Sequence, residues 1–96
     1  MAIKVFIERS VVPGGETTLN ELLIKLRSKA IHAKGYISGE TLHSLDDPYK
    51  YLVISTWNNL DERKGWEADR ERQKIQDEID SLLNTPSTQR VFLYGQ

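Results

Sequence analysis

Tyr51-Leu52-Val53-Ile54-Ser55-Thr56-Trp57-Asn58-Asn59-Leu60 decides the fold, because an extended segment passes there almost directly into a helix. Tyr51, Val53, Ser55 and Trp57 share one face of a period-two strand, and Leu52, Ile54 and Thr56 share the other. Neither face is strongly polar, so both call for cover. Asn59-x-x-Glu62 then has the spacing of a capping box and opens a helix that carries Trp66. Trp57 and Trp66 are the only two tryptophans of the chain.

Upstream, Ile3, Val5 and Ile7 alternate with Lys4, Phe6 and Glu8, which predicts a strand over residues 2–9. Pro13-Gly14-Gly15 breaks it. Leu19, Leu22, Leu23, Leu26 and Ala30 follow at helical spacing. Thr18-Leu19-Asn20-Glu21 has capping-box spacing, and a start one turn earlier fits equally well. Lys29, His32 and Lys34 complement the negative end of that helix, and Gly35 is expected to end it in a left-handed conformation. A second strand over 36–45 joins the third, 50–57, through Asp46-Asp47-Pro48-Tyr49.

Downstream, Ile75, Ile79, Leu82 and Leu83 mark a helical stripe behind the polar run Asp69-Arg70-Glu71-Arg72-Gln73-Lys74. That run reads as a solvated helix face with i,i+4 pairs. Nine residues of ideal helix turn through about 900°, so Trp66 and Ile75 would point in opposite directions. Either the segment breaks near Gly65–Arg70, or Trp66 faces something other than its own core. Pro86 ends the helical region, and Arg90-Val91-Phe92-Leu93-Tyr94 is a final strand.

The order β-α-β-β-α-β predicts one α+β domain over residues 1–96, ferredoxin-like, with a four-stranded antiparallel sheet and the helices on one face. Phe6, Leu52, Ile54, Phe92 and Tyr94 cannot all share a face with the opposite-parity set that includes Ile3, Val5, Val53, Val91 and Leu93. Both faces of the sheet therefore carry apolar residues, and the helices cover only one. A second copy packed sheet to sheet is the economical cover, so a homodimer is expected.

Composition narrows the function classes. Hydrophobic residues are 39% and charged residues 28% of 96, with a mean hydropathy of -0.50, as in an ordinary globular domain. No apolar run approaches the roughly 20 residues of a membrane span. Met1–Ile7 is too short and too alternating for a signal peptide, so a cytoplasmic location and no membrane partner are expected. The absence of cysteine rules out disulfides and thiolate chemistry. A net charge of -1 with interspersed signs argues against a nucleic-acid partner. Gly14-Gly15 lacks a phosphate-loop pattern and no metal-ligand spacing occurs, so no cofactor is expected.

Gly35-Tyr36-Ile37-Ser38-Gly39-Glu40-Thr41-Leu42-His43-Ser44, followed by Asp46-Asp47-Pro48, Ser55-Thr56-Trp57 and Trp66, resembles the antibiotic biosynthesis monooxygenase (ABM) domain family. The resemblance spans most of the chain and is most specific at residues 35–66. It implies a dimeric α+β barrel. It also implies several activities, among them oxidation of phenols to quinones by dioxygen without metal, flavin or haem, the deprotonated substrate supplying the electrons. A haem-degrading branch uses an Asn on the first strand, a Trp, and a His in the second helical region. Trp66 matches that Trp, but Ile3–Arg9 contains no Asn and no His follows Trp66, which disfavours haem.

Each candidate residue has a second, plainer reading. His43 suits a base for a phenol, since histidine is the side chain that ordinarily changes charge near neutral pH, or is simply a strand-end histidine at the surface or dimer seam. His32 is explained by the helix dipole. Trp57 and Trp66 suit the aromatic wall of a pocket for a planar ligand, or close the core and a dimer contact. Tyr51 and Tyr36 suit hydrogen-bond donors to a bound oxygen, or structural tyrosines. Asn58 suits substrate positioning, or capping of the helix. The expected function is cofactor-independent monooxygenation of a small aromatic, phenol- or quinol-like compound. The alternative is a non-catalytic binding or structural dimer of the same fold.

Overall fold

Alternating apolar residues and well-placed breakers produce seven elements in the computed structural model, which describes residues 1–95. They are β1 (Ile3–Ser10), α1 (Glu16–Ala30), β2 (Tyr36–His43), β3 (Lys50–Trp57), α2 (Leu60–Glu67), α3 (Arg70–Asp80) and β4 (Thr88–Leu93). The strands form one antiparallel sheet in the order β2-β3-β1-β4. The ferredoxin-like plan expected from the sequence is present, with one change: the second helical region is two helices.

That break resolves the phase conflict between Trp66 and Ile75. Asn59 caps α2, its side chain accepting from the Glu62 backbone N–H at 2.8 Å. Asp69 caps α3 and accepts from the Arg72 N–H at 2.9 Å. Each short helix thus has its own N-terminal acceptor, and each turns its own buried stripe inward. Trp66 is buried from α2, and Ile75 and Ile79 are buried from α3.

Of the two starts open to α1 the earlier is used, and the expectation for Gly35 shifts. α1 begins at Glu16 with Gly15 as its N-cap, the earlier of the two starts. It ends at Ala30 with Ile31 as its C-cap, so Gly35 does not terminate it. Gly35 instead turns the chain into β2 with φ of 88°. Its carbonyl accepts from the Asn58 N–H at 2.8 Å, which holds the start of β2 beside the end of β3.

The inward face of the sheet carries Ile3, Val5, Ile7 and Arg9 from β1, opposite Trp57, Ser55, Val53 and Tyr51 of β3. Two apolar clusters fill the space beneath the helices. One joins Val11, Leu19, Leu22, Leu23, Tyr51, Ile75 and Ile79; the other joins Ile3, Val5, Ile7, Ala30, Trp57 and Trp66. The outward face, with Lys4, Phe6, Glu8, Leu52, Arg90 and Phe92, forms an open trough of about 560 Å³. Phe6 and Phe92 meet there edge to face with centroids 5.3 Å apart. Phe92 and Tyr94 stay about half exposed, so the open apolar face expected from strand parity exists.

Candidate functional site

A β-bulge builds one wall of the interior. Tyr36 pairs with Trp57 and Ser38 with Thr56, so Ile37 is the extra residue. Without it Tyr36 and Gly39 would lie on opposite faces, because side chains alternate along a strand. With it both face the helices, opposite Trp57 and Ser55. A methyl group at Gly39 would collide with the Tyr36 hydroxyl, so the missing side chain leaves room for the tyrosine ring. The ring stands edge-on to Trp57, centroids 5.3 Å apart. Trp57 and Trp66 follow at 6.1 Å with a 30° tilt, so three aromatic rings form a continuous surface. Trp57 is fixed further by its indole N–H, which donates to Ser55 Oγ at 3.0 Å.

Between this surface and the helices lies a cavity of about 60 Å³. Apolar walls come from Ile7, Leu23, Leu26, Ala30 and Val53. Its polar lining is dominated by guanidinium groups. Arg9 reaches it from β1, Arg63 from α2 and Arg72 from α3, while Arg27 of α1 donates to the Gly39 carbonyl at its edge. Arg9 and Arg63 are each only 2% exposed, against the rule that arginine heads stay in water unless paired.

Their pairing is incomplete. Arg9 Nη2 donates to Gln76 Oε1 at 3.2 Å, and Gln76 Nε2 donates to Asp80 Oδ1 at 2.8 Å. Arg63 Nη2 donates to Gln89 Oε1 at 3.4 Å, and its Nη1 stands 2.9 Å from Glu67 Oε1 outside hydrogen-bonding geometry. Arg72 Nη1 donates to the Glu67 carbonyl at 3.3 Å. Among the described residues, Arg9 Nε and Nη1, Arg63 Nε and Nη1, and Arg72 Nε have no hydrogen-bond acceptor. Desolvation is the main force lowering all three guanidinium pKa values, and it brings Arg9 down to about 10. Arg9 therefore stays cationic around neutrality. Arg63 also lies over Trp57, 5.6 Å from the ring centroid, which joins the charged lining to the aromatic one.

The structure brings Trp57, Trp66 and Tyr36 to the cavity and leaves the other three candidates elsewhere. Tyr51 is 1% exposed and packs in the first apolar cluster. His43 is exposed on β2 and lies against Tyr51, ring centroids 4.3 Å apart. Asn58 is exposed, and the capping role belongs to Asn59. Sequence reasoning missed Arg9, Arg63, Arg72 and Gln76. No group of three or more histidine, aspartate or glutamate side chains able to hold a metal occurs among the described residues, and no helix there is long and apolar enough to cross a membrane.

The family model for antibiotic biosynthesis monooxygenase matches residues 2–78. Among solved structures, SnoaB, a cofactor-independent oxygenase from Streptomyces nogalater, superimposes with a TM-score of 0.87 at 17% identity, covering 100% of this chain and 96% of that one. Rv0793 from Mycobacterium tuberculosis gives 0.91 at 14% identity, covering 100% and 97%. A conserved protein from Methanosarcina mazei Go1 gives 0.91 at 15% identity, covering 96% and 91%. At these identities the likeness is one of fold. No curated protein matches the sequence.

Proposed function

The chain belongs to the antibiotic biosynthesis monooxygenase family, and on that premise we propose that it oxidises a small aromatic, phenol- or quinol-like compound with dioxygen inside the cavity between sheet and helices. The observation that carries this reading is the surface of Tyr36, Trp57 and Trp66 closing one side of an interior space. Flat aromatic walls suit a planar ring, and exclusion of bulk water protects an electron-rich intermediate. The reaction balances without an added reductant. A phenol and dioxygen give a quinone and water: one oxygen atom enters the ring, the other leaves as water, and the four electrons come from the phenol. In this reading Tyr36, which lines the cavity, donates a hydrogen bond to a ligand oxygen. His43, as the base, and Tyr51 and Asn58 would have to act from outside this cavity.

The working assembly in this proposal is a homodimer joined through the outward sheet faces, supported by Phe6, Leu52, Phe92 and Tyr94 on that side. Oxygen uptake with a panel of single-ring phenols and hydroquinones tests the activity. Uptake is expected with at least one compound, accompanied by quinone absorbance, and Trp66→Ala should lower kcat/KM about tenfold or more. A panel without uptake sinks the reading, and a His43→Ala variant with unchanged rate removes that residue as the base.

The small volume favours one second reading, a dimer that binds a small molecule without turning it over. Ligand-induced stabilisation with no oxygen uptake would identify it.

A further inference from the structure

Three arginines from three elements converge on one cavity, two of them almost completely buried. A purely structural role explains them poorly. Burying a guanidinium is costly unless its donors are satisfied, and apolar residues of similar size usually serve stability as well or better. Here five guanidinium nitrogens have no acceptor among the described residues. Four carboxylates act on the cluster, Asp80 on Arg9 and Arg72, Glu67 on Arg63 and Arg72, and Asp69 and Asp77 on Arg72, yet none accepts a hydrogen bond from its guanidiniums. Glu67 reaches Arg63 from a partly exposed position, and Asp80 reaches Arg9 only through Gln76. Like charges also repel within the cluster: Arg72 and Arg63 lower the pKa of Arg9, and Arg72 lowers that of Arg63. Such an arrangement leaves buried guanidinium donors open to an anionic acceptor that the protein does not itself place on them.

We infer that the Arg9–Arg63–Arg72 cluster is a receptor for the carboxylate of a single-ring aromatic acid, whose ring lies on Tyr36, Trp57 and Trp66. The number of open donors chooses the anion. An ionised phenol offers one oxygen, which three guanidiniums cannot share in good geometry. A carboxylate offers two oxygens and about four acceptor sites, and matches the planar guanidinium fork. The position of Arg63 over Trp57 places the charged and aromatic subsites side by side, as a ring bearing a carboxylate requires. Size limits the rest of the ligand. The cavity, about 60 Å³, is smaller than the roughly 150 Å³ space that holds benzene in an engineered core, so one ring enters only with outward movement of the wall and a polycycle does not fit. This inference rests on the interior cavity being the ligand site and narrows the proposed substrate to a carboxylated phenol.

Thermal denaturation of the full chain with benzoate, salicylate, benzamide or inorganic phosphate tests it. Benzoate and salicylate should raise Tm logarithmically with concentration, by on the order of 10 °C at a hundredfold excess over Kd, while benzamide has little effect. Kd should rise about tenfold or more in Arg63→Met and in Arg9→Met, and Arg63→Lys should recover only part of the loss. Arg70→Met, an exposed control, should bind as the parent does. Equal stabilisation by benzamide, retained benzoate binding in Arg63→Met, or no response to any anion overturns the inference. A phosphate effect equal to that of salicylate overturns the assignment of a ring. Should Arg9→Met fail to fold, Arg63→Met alone decides. Carboxylate binding without oxygen uptake would leave this inference standing and remove the oxygenase reading. Turnover of neutral phenols as fast as their carboxylated forms would do the reverse.

Discussion

Arg9 occupies the fourth inward position of a strand whose other three are Ile3, Val5 and Ile7. The same coincidence recurs on the helices. Arg63 is one turn before Trp66, and Arg72 and Gln76 are in phase with Ile75 and Ile79. A charged side chain in register with an apolar stripe is the signal that announces the cluster. Residue type hides it, because Arg9 follows the last apolar residue of the alternation and Arg72 lies in a polar run, Asp69 to Lys74, whose composition is that of a solvated face. The three aromatic residues on the cavity were legible for the opposite reason: large rings beside a strand end need a neighbour. Tyr36 was legible by type alone, since a bulge at Ile37 that turns it inward leaves no mark in composition. At this scale the energetic expectation is specific. Arg63→Met removes a desolvated charge and leaves Glu67, 40% exposed, free to be solvated. Urea unfolding should find this variant equal in stability to the parent or more stable by about 1 kcal/mol. A loss of several kcal/mol would mean that the guanidinium holds the fold together.

Among the elements, the strands were read from the sequence within a few residues, because alternation and Pro/Gly punctuation are local. Helix ends were less legible. Gly35 suits a helix terminus by residue type, yet the chain spends Ile31–Lys34 in turns first and uses its positive φ to start β2. A β-carbon there would also stand 2.6 Å from Glu62 Cβ, in α2. Gly35→Ala should therefore destabilise by about 2 kcal/mol or more, from left-handed strain plus collision, as a fall in the urea midpoint would record. A midpoint within experimental error of the parent would mean that α2 yields freely to the methyl group. The break between α2 and α3 was visible as an unresolved conflict of phase. Only the capping geometry of Asp69 decides it, because an aspartate in a polar run is equally at home on a helix surface.

For the whole molecule, sheet topology and the two-sided apolar character of the strands followed from order and parity, and both are present. What covers the outward face is a question of assembly, to which one chain contributes only its surface. Phe6 sits on it from the inner strand β1 and meets Phe92 of the edge strand β4, in an open trough of about 560 Å³ over β1, β3 and β4. Sedimentation equilibrium should report a dimer for the parent and a monomer for Phe92→Asp, since an unpaired carboxylate in an apolar contact opposes association. A parent that sediments as a monomer at micromolar concentration removes the sheet-face dimer.

The short length of α2 has a consequence for hydrogen exchange. Eight residues hold only two buried side chains, Arg63 and Trp66, and both line the cavity, Trp66 while also packing in the second apolar cluster. Beyond its C-terminus the junction is tied to α1 mainly by Lys29, which reaches Asp69 at 3.6 Å and Glu71 at 2.7 Å from the surface, where such pairs contribute little. Residues 60–67 should therefore open as a separate low-energy unit, their amides exchanging well before those of α3 and the central strand β1. A bound aromatic acid bridging Arg63 to Arg9 would slow that exchange, so protection of these eight amides would report occupancy even without turnover. Uniform exchange across α2 and α3 would show instead that the two helices unfold as one.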